Sequence, residues 1–260
     1  MLFLRSLVFN ILFYLNLTIL VIGGLPCMLF GRKAILELAR TWGRTSFWLH
    51  EKICGLKVEF RGLENLSQHG CIIAAKHESI WETFALTTQV RDFTYILKRE
   101  LTFLPIFGQY LLLADQIAIH RKNRSVALRQ LVEKAGAAIA GGRAIFIFPE
   151  GTRRPAGAPP AYRSGVAHLY AVANAPCIPV ALNSGLFWPR RSFLRRPGTI
   201  VVEFLPVIIA GLEPEEFARL LQERIEGACD RLYAEALAGD PSLAANLVKG
   251  GKVATARNPG

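Results

Sequence analysis

Between Ser6 and Gly31 the chain carries no charge, and Leu, Ile, Phe and Val dominate the run. About 20 apolar residues suffice to cross a hydrocarbon core as a helix. A secretory signal would have a shorter apolar stretch and a small-residue cleavage site. This run is longer and ends in Pro26, Gly31 and the basic pair Arg32-Lys33. It reads as a retained membrane segment, residues 1–34. Asn10, Asn16, the Gly23-Gly24 pair and Pro26 leave open whether it spans or forms a re-entrant or interfacial element. Arg32, Lys33, Arg40 and Arg44 follow it, against a lone Arg5 before it. The positive-inside tendency then expects the rest of the chain on the cytoplasmic side, at the inner membrane if the chain is bacterial.

Residues 35–56 read as an amphipathic helical connector, with Leu36, Leu38, Trp42, Phe47, Trp48 and Leu49 set among basic residues. Lying on a basic membrane interface and packing on the main domain are both compatible with that pattern. A net charge of +11 in a chain that is 52% hydrophobic favours an anionic membrane surface over nucleic acid as partner. The five scattered cysteines form no C-x-x-C pair, so neither a disulfide framework nor a zinc site is expected. A reducing environment follows.

From residue 57 to about 240, short apolar runs alternate with helix-like stretches. Strands are expected at 57–60, 71–75, 94–97, 116–119, 144–148, 178–182 and 199–204, and helices at 80–90, 125–140, 165–173 and 214–237. This alternation predicts an α/β fold, a mixed and largely buried sheet covered by helices. Ala144-Ile-Phe-Ile-Phe148 is the clearest strand of the kind that is buried on both faces. Residues 241–260 read as a flexible tail. The absence of G-x-G-x-x-G, Walker A and G-x-S-x-G patterns argues against nucleotide-binding Rossmann, P-loop and serine-hydrolase chemistry.

Cys71-Ile-Ile-Ala-Ala-Lys-His77 reads as a strand that delivers a histidine at its carboxyl end, where open α/β sheets gather their ligands. Of the five histidines only His77 has an acid five residues on, Glu82. With His77 in the loop and Glu82 in the first helical turn, a carboxylate on one ring nitrogen would leave the other free to take a proton. Ser79-Ile-Trp-Glu82 is also an S-x-x-E capping box, so Glu82 has a purely structural use as well, at the N–H of Ser79.

A second constellation, Phe148-Pro-Glu-Gly-Thr-Arg153, follows the clearest strand. Gly151 permits close approach of backbone N–H groups to a ligand, and Thr152 and Arg153 add a hydroxyl and a forked cation suited to phosphate.

Together, His77-x4-Glu82 and Phe148–Arg153 resemble the lysophosphatidate and glycerol-phosphate acyltransferase family. The resemblance extends from about Arg61 to Phe204. Lys98-Arg-Glu-Leu101, Pro105-Ile-Phe-Gly108, Ile117-Ala-Ile-His-Arg121 and Ile178-Pro-Val-Ala181 match its further blocks. The family has aspartate where this chain has Glu82. The resemblance implies that His77 and Glu82 are catalytic. It also implies that Arg121, Glu150, Gly151, Thr152 and Arg153, with Lys98 as a further candidate, hold the acceptor's phosphate. No metal or bound cofactor is implied; acyl-CoA or acyl-ACP (acyl carrier protein) is the donor substrate. The expected reaction acylates the sn-2 hydroxyl of 1-acyl-glycerol-3-phosphate to give phosphatidate. Two alternatives are another lyso-lipid acceptor and a non-catalytic basic protein that only binds membranes.

Overall fold

The structure, a computed structural model, describes residues 1–66, 69–119 and 124–248. In chain order its main elements are α1 (Leu2–Gly23), α2 (Arg32–Leu49), β1 (Leu56–Arg61), β2 (Cys71–Ala75), α3 (Trp81–Ala85) and β3 (Phe93–Lys98). There follow α4 (Phe107–Leu113), β4 (Ile117–Ile119), α5 (Arg124–Ala140), β5 (Ala144–Ile147), α6 (Gly165–Ala173), β6 (Cys177–Leu182), α7 (Ser184–Phe187), β7 (Gly198–Phe204) and α8 (Pro214–Gly239). Among the described residues the strands form one seven-stranded sheet in the order β1-β7-β6-β2-β5-β3-β4. β6, β2, β5, β3 and β4 run parallel, β7 is antiparallel to β6, and β1 is parallel to β7.

The expected mixed α/β sheet is therefore present, with strand ends within two residues of those read from the apolar runs. Every residue of β2 and of β6 is buried. Side chains alternate between the faces of a strand, so both faces of the central sheet are covered. One helical layer comprises α1 to α4, and the other α5, α6 and α8, with α8 against β6. Two helices escape the sequence pattern. α4 begins in the Pro105–Gly108 block and runs on to Leu113, and α7 is a single turn.

The uncharged N-terminal run breaks in two. α1 ends at Gly23, and a 3₁₀ segment, Leu25–Phe30, leads into α2. Arg5 lies within the helix, its Nε donating to the Ile53 carbonyl at 2.6 Å. Ser6, Phe9 and Phe13 are buried against the domain, while Phe3, Leu4, Ile11, Tyr14, Leu15, Ile19 and Ile22 stand exposed. α2 buries Ile35, Leu36, Gly43, Ser46 and Leu49 and continues into one π turn, His50–Cys54. The connector is thus a packed helix of the domain. The tail expected from residue 241 is likewise packed as far as Val248. Pro241–Asn246 form a 3₁₀ segment, Leu243 is buried, and Val248 N–H donates to the Ala156 carbonyl. All five cysteines are unpaired thiols, four of them buried.

Candidate active site

The carboxyl ends of the parallel strands share one edge, and the pairing registers fix what meets there. Ala74 pairs with Ile147 and Tyr95 with Phe146. His77 therefore leaves the sheet beside the loop that begins at Phe148, with Lys98 at the end of the next strand over. Neighbouring strands lie about 4.8 Å apart, so these side chains are within a small molecule's reach of one another.

Glu82, wholly buried, organises the histidine. Its Oε1 lies 2.8 Å from His77 Nδ1 and also accepts the backbone N–H groups of Glu78 at 2.6 Å and Ser79 at 2.7 Å. Oε2 accepts the Ser184 hydroxyl at 2.9 Å. Because the carboxylate is the acceptor, Nδ1 carries the ring proton and Nε2 is the basic nitrogen. Among the described residues Nε2 has no partner, and the His77 side chain is 13% exposed. The ring stacks on Phe148, with centroids 3.9 Å apart at 15°. One oxygen of Glu82 thus serves both the capping contact with Ser79 and the hydrogen bond to His77. The helical turn starts one residue late, after Ile80, and the Ser79 hydroxyl accepts from Trp81 N–H at 3.3 Å.

The second loop is tied to the first by main chain and by buried charge. Arg154 N–H donates to the His77 carbonyl at 2.8 Å. Gly151 sits at φ +66°, its N–H on the Phe148 carbonyl, and a Cβ there would press on the Arg163 side chain at 3.2 Å. Glu150 departs from its expected role. Its carboxylate is buried, 3.4 Å from Lys76 Nζ and 3.5 Å from Arg154 Nε, and accepts the Ala161 N–H. An inward carboxylate cannot ligate a phosphate, so Glu150 holds the loop instead. Thr152 is exposed, Arg153 half-buried and Lys98 exposed, and among the described residues none of their side chains is engaged. Arg121 lies outside the described residues.

Several residues of this edge had no signal in the sequence. Lys76, fully buried, bonds both carboxylate oxygens of Glu226 on α8 at 2.8 and 3.0 Å, and the Tyr162 hydroxyl donates to the same carboxylate. Burial pulls Lys76 down, but the Glu226 and Glu150 carboxylates outweigh it and hold it above the ordinary lysine range. Glu78 is completely buried, between the Tyr233 hydroxyl and the Gly185 N–H at 2.7 Å. Gly185 is required there, since a Cβ would come within 2.8 Å of that carboxylate. Burial raises Glu78 from 4.5 to about 8, against the opposing pull of its two hydrogen bonds and Lys76. Only the strand order could have pointed to Ser184 and Gly185, which follow β6 at the shared edge.

A protein family described as Acyltransferase matches residues 57–183. The 1-acyl-sn-glycerol-3-phosphate acyltransferase of Pseudomonas aeruginosa is 36% identical over 198 residues, covering 76% of this chain and 77% of its own length. The chain belongs to the acyltransferase family. The Escherichia coli enzyme of the same name is 26% identical over 240 residues, 90% of this chain and 94% of its own. The crystal structure of the 1-acyl-sn-glycerophosphate acyltransferase PlsC from Thermotoga maritima shares the fold. Its TM-score is 0.74 at 22% identity, over 90% of this chain and 98% of that one. Membership makes this acyltransferase an enzyme and sets aside the non-catalytic reading.

Proposed function

We propose that this acyltransferase moves a fatty acyl group from a coenzyme A or acyl-carrier-protein thioester to the sn-2 hydroxyl of 1-acyl-glycerol-3-phosphate. His77 Nε2 takes the hydroxyl proton as the oxygen attacks the thioester carbonyl carbon. Glu82 steadies the imidazolium that forms. The tetrahedral intermediate expels the thiolate, which recovers the proton from Nε2, leaving phosphatidate and a free thiol. Thr152, Arg153, Lys98 and Arg121 hold the phosphate, on a turn that Gly151 shapes, so the attack becomes a positioned, near-unimolecular step. α1 keeps the domain on the membrane that contains both lipids, with the domain on the cytoplasmic side.

The observation that carries this reading is the 2.8 Å His77–Glu82 bond, which leaves the opposite ring nitrogen open beside an unengaged cationic loop. The acceptor comes from the names of the relatives, at 36% identity for the Pseudomonas enzyme. The test is transfer by the purified full chain, with both donors, to lysophosphatidate and to lysophosphatidylcholine. Turnover confined to the phosphate monoester is expected. Turnover of lysophosphatidylcholine alone would overturn the acceptor, and none with either thioester would overturn the chemistry.

A further inference from the structure

The segment Pro189-Arg-Arg-Ser-Phe-Leu-Arg-Arg-Pro197, which leads from α7 to β7, holds four arginines and no acid. The reaction uses none of them. Among the described residues none of the four forms an ion pair. Arg190 donates only to the Arg153 carbonyl, at 3.0 Å, and Arg196 to the Ser242 hydroxyl, at 3.2 Å. Arg190 and Arg191 are exposed, and so is Phe193 between the two basic pairs.

This loop is fastened to α1 by the few polar groups of that helix. Arg195 N–H donates to the Ser6 hydroxyl at 2.9 Å, Arg195 Nη2 to Asn10 Oδ1 at 2.8 Å, and Asn10 Nδ2 to the Phe193 carbonyl at 3.2 Å. Arg195 itself is buried over the Trp188 ring, 3.9 Å from its centroid. Asn10, a polar interruption in an apolar run, therefore has a partner off the helix. The Phe193 ring meets Phe3 of α1 at 5.2 Å and extends that helix's exposed apolar surface. An exposed aromatic continuous with a lipid-facing helix and preceded by the exposed guanidiniums of Arg190 and Arg191, neither in an ion pair, fits the headgroup boundary of an anionic bilayer.

We infer that residues 189–196 form a second membrane contact. Phe193 enters the acyl boundary beside α1, and Arg190, Arg191 and Arg196 bind anionic headgroups next to the Phe148–Arg153 loop, while Arg195 fastens the loop to α1. This rests on reading α1 as a membrane helix, and needs neither the acceptor assignment nor turnover. The partner is a lipid surface, because the cations adjoin the apolar face of α1 and a soluble acidic protein would leave Phe193 without an apolar phase.

Flotation of the full chain on vesicles tests it, comparing phosphatidylcholine alone with an equal mixture of phosphatidylcholine and phosphatidylglycerol. The wild type should prefer the anionic vesicles at low salt. Arg191→Gln should lower partition onto them about fivefold, the worth of one juxtamembrane cation, and leave neutral vesicles unaffected. Arg191→Lys should keep the preference, and Phe193→Ser should weaken binding to both. Turnover in detergent micelles, unchanged in Arg191→Gln, reports an intact fold. An anionic preference unaltered in Arg191→Gln and in the Arg191→Gln/Arg196→Gln double variant would overturn the inference. So would normal flotation by a variant whose micellar rate drops only with acyl carrier protein as donor, because the loop would then be a carrier-protein dock.

Discussion

The two ends of the sheet use similar chemistry to opposite purposes. At the amino end, beside β3 and β5, Arg143 spends every donor. It binds Asp92 Oδ1 at 3.2 Å, Asp115 Oδ2 at 2.6 Å, and the carbonyls of Phe93, Ala114 and Asp115 at 2.9, 3.2 and 3.2 Å. At the carboxyl end His77 makes a single side-chain hydrogen bond, to a carboxylate whose remaining capacity is filled by Glu78, Ser79 and Ser184. A buried cation with all its donors used is a brace. A ring fixed on one side and open on the other is the arrangement that the proposed proton acceptor requires.

Substitutions at the two ends should separate stability from turnover. Arg143→Met leaves the carbonyls of Phe93, Ala114 and Asp115 without their donor, while Asp92 keeps Arg32. Chemical denaturation should show a loss of about 1–3 kcal/mol, with kcat of the folded fraction unchanged. Glu82→Gln should do the reverse at the other end. It keeps the shape, and its amide oxygen can still face Nδ1, but it loses the negative charge that stabilises the imidazolium, so kcat should fall about 10²–10⁴-fold. Glu82→Asp, which keeps the charge, should retain more activity than the amide, and steady-state kinetics ranks the two.

The Lys76–Glu226 pair lies between these cases, structural in its bonds but one residue from the histidine. Lys76→Met and Glu226→Gln should each lower kcat and stability. Their double variant should show a coupling of about 1–3 kcal/mol in a denaturation cycle. The smallest effect concerns His50, stacked on Phe9 with both ring nitrogens unpartnered. Burial, helped by the charge of Arg195, lowers it from 6.5 to about 3. The unfolded chain therefore takes up a proton first, and the stability this ring contributes above pH 6.5 is lost as pH falls toward 3. Glu78 acts in the other direction. Its contribution is complete below pH 4.5 and is lost as pH rises through about 8. Melting temperatures of His50→Phe should lose the acid-side decline and keep the alkaline one.

The contrast between the ends also explains what could be read from the chain. β2 and β5 were legible because fully buried strands are unbroken apolar runs, and His77 stood at the end of one of them. Glu82 was legible by spacing, but its single-oxygen arrangement was not, because it depends on how late the α3 turn begins. Glu150 sits in the same motif as Thr152 and Arg153, and only tertiary packing separates it from them, because Lys76 draws its carboxylate inside. Glu226 and Tyr233 belong to α8, whose sequence shows only an amphipathic helix; their partners are distant in the chain. α1 was recognised as apolar, while its docking through Ser6 and Asn10 required the loop at 189–196 to be in place.

The central claim is that His77 is the base of an acyl transfer. The most direct measurement is kcat of His77→Ala with a thioester donor and 1-acyl-glycerol-3-phosphate in micelles, with acceptor binding measured in parallel. The account predicts a fall of about 10²–10⁴-fold in kcat, with binding and fold retained. Turnover close to the wild type, or a loss fully explained by lost binding, would contradict it.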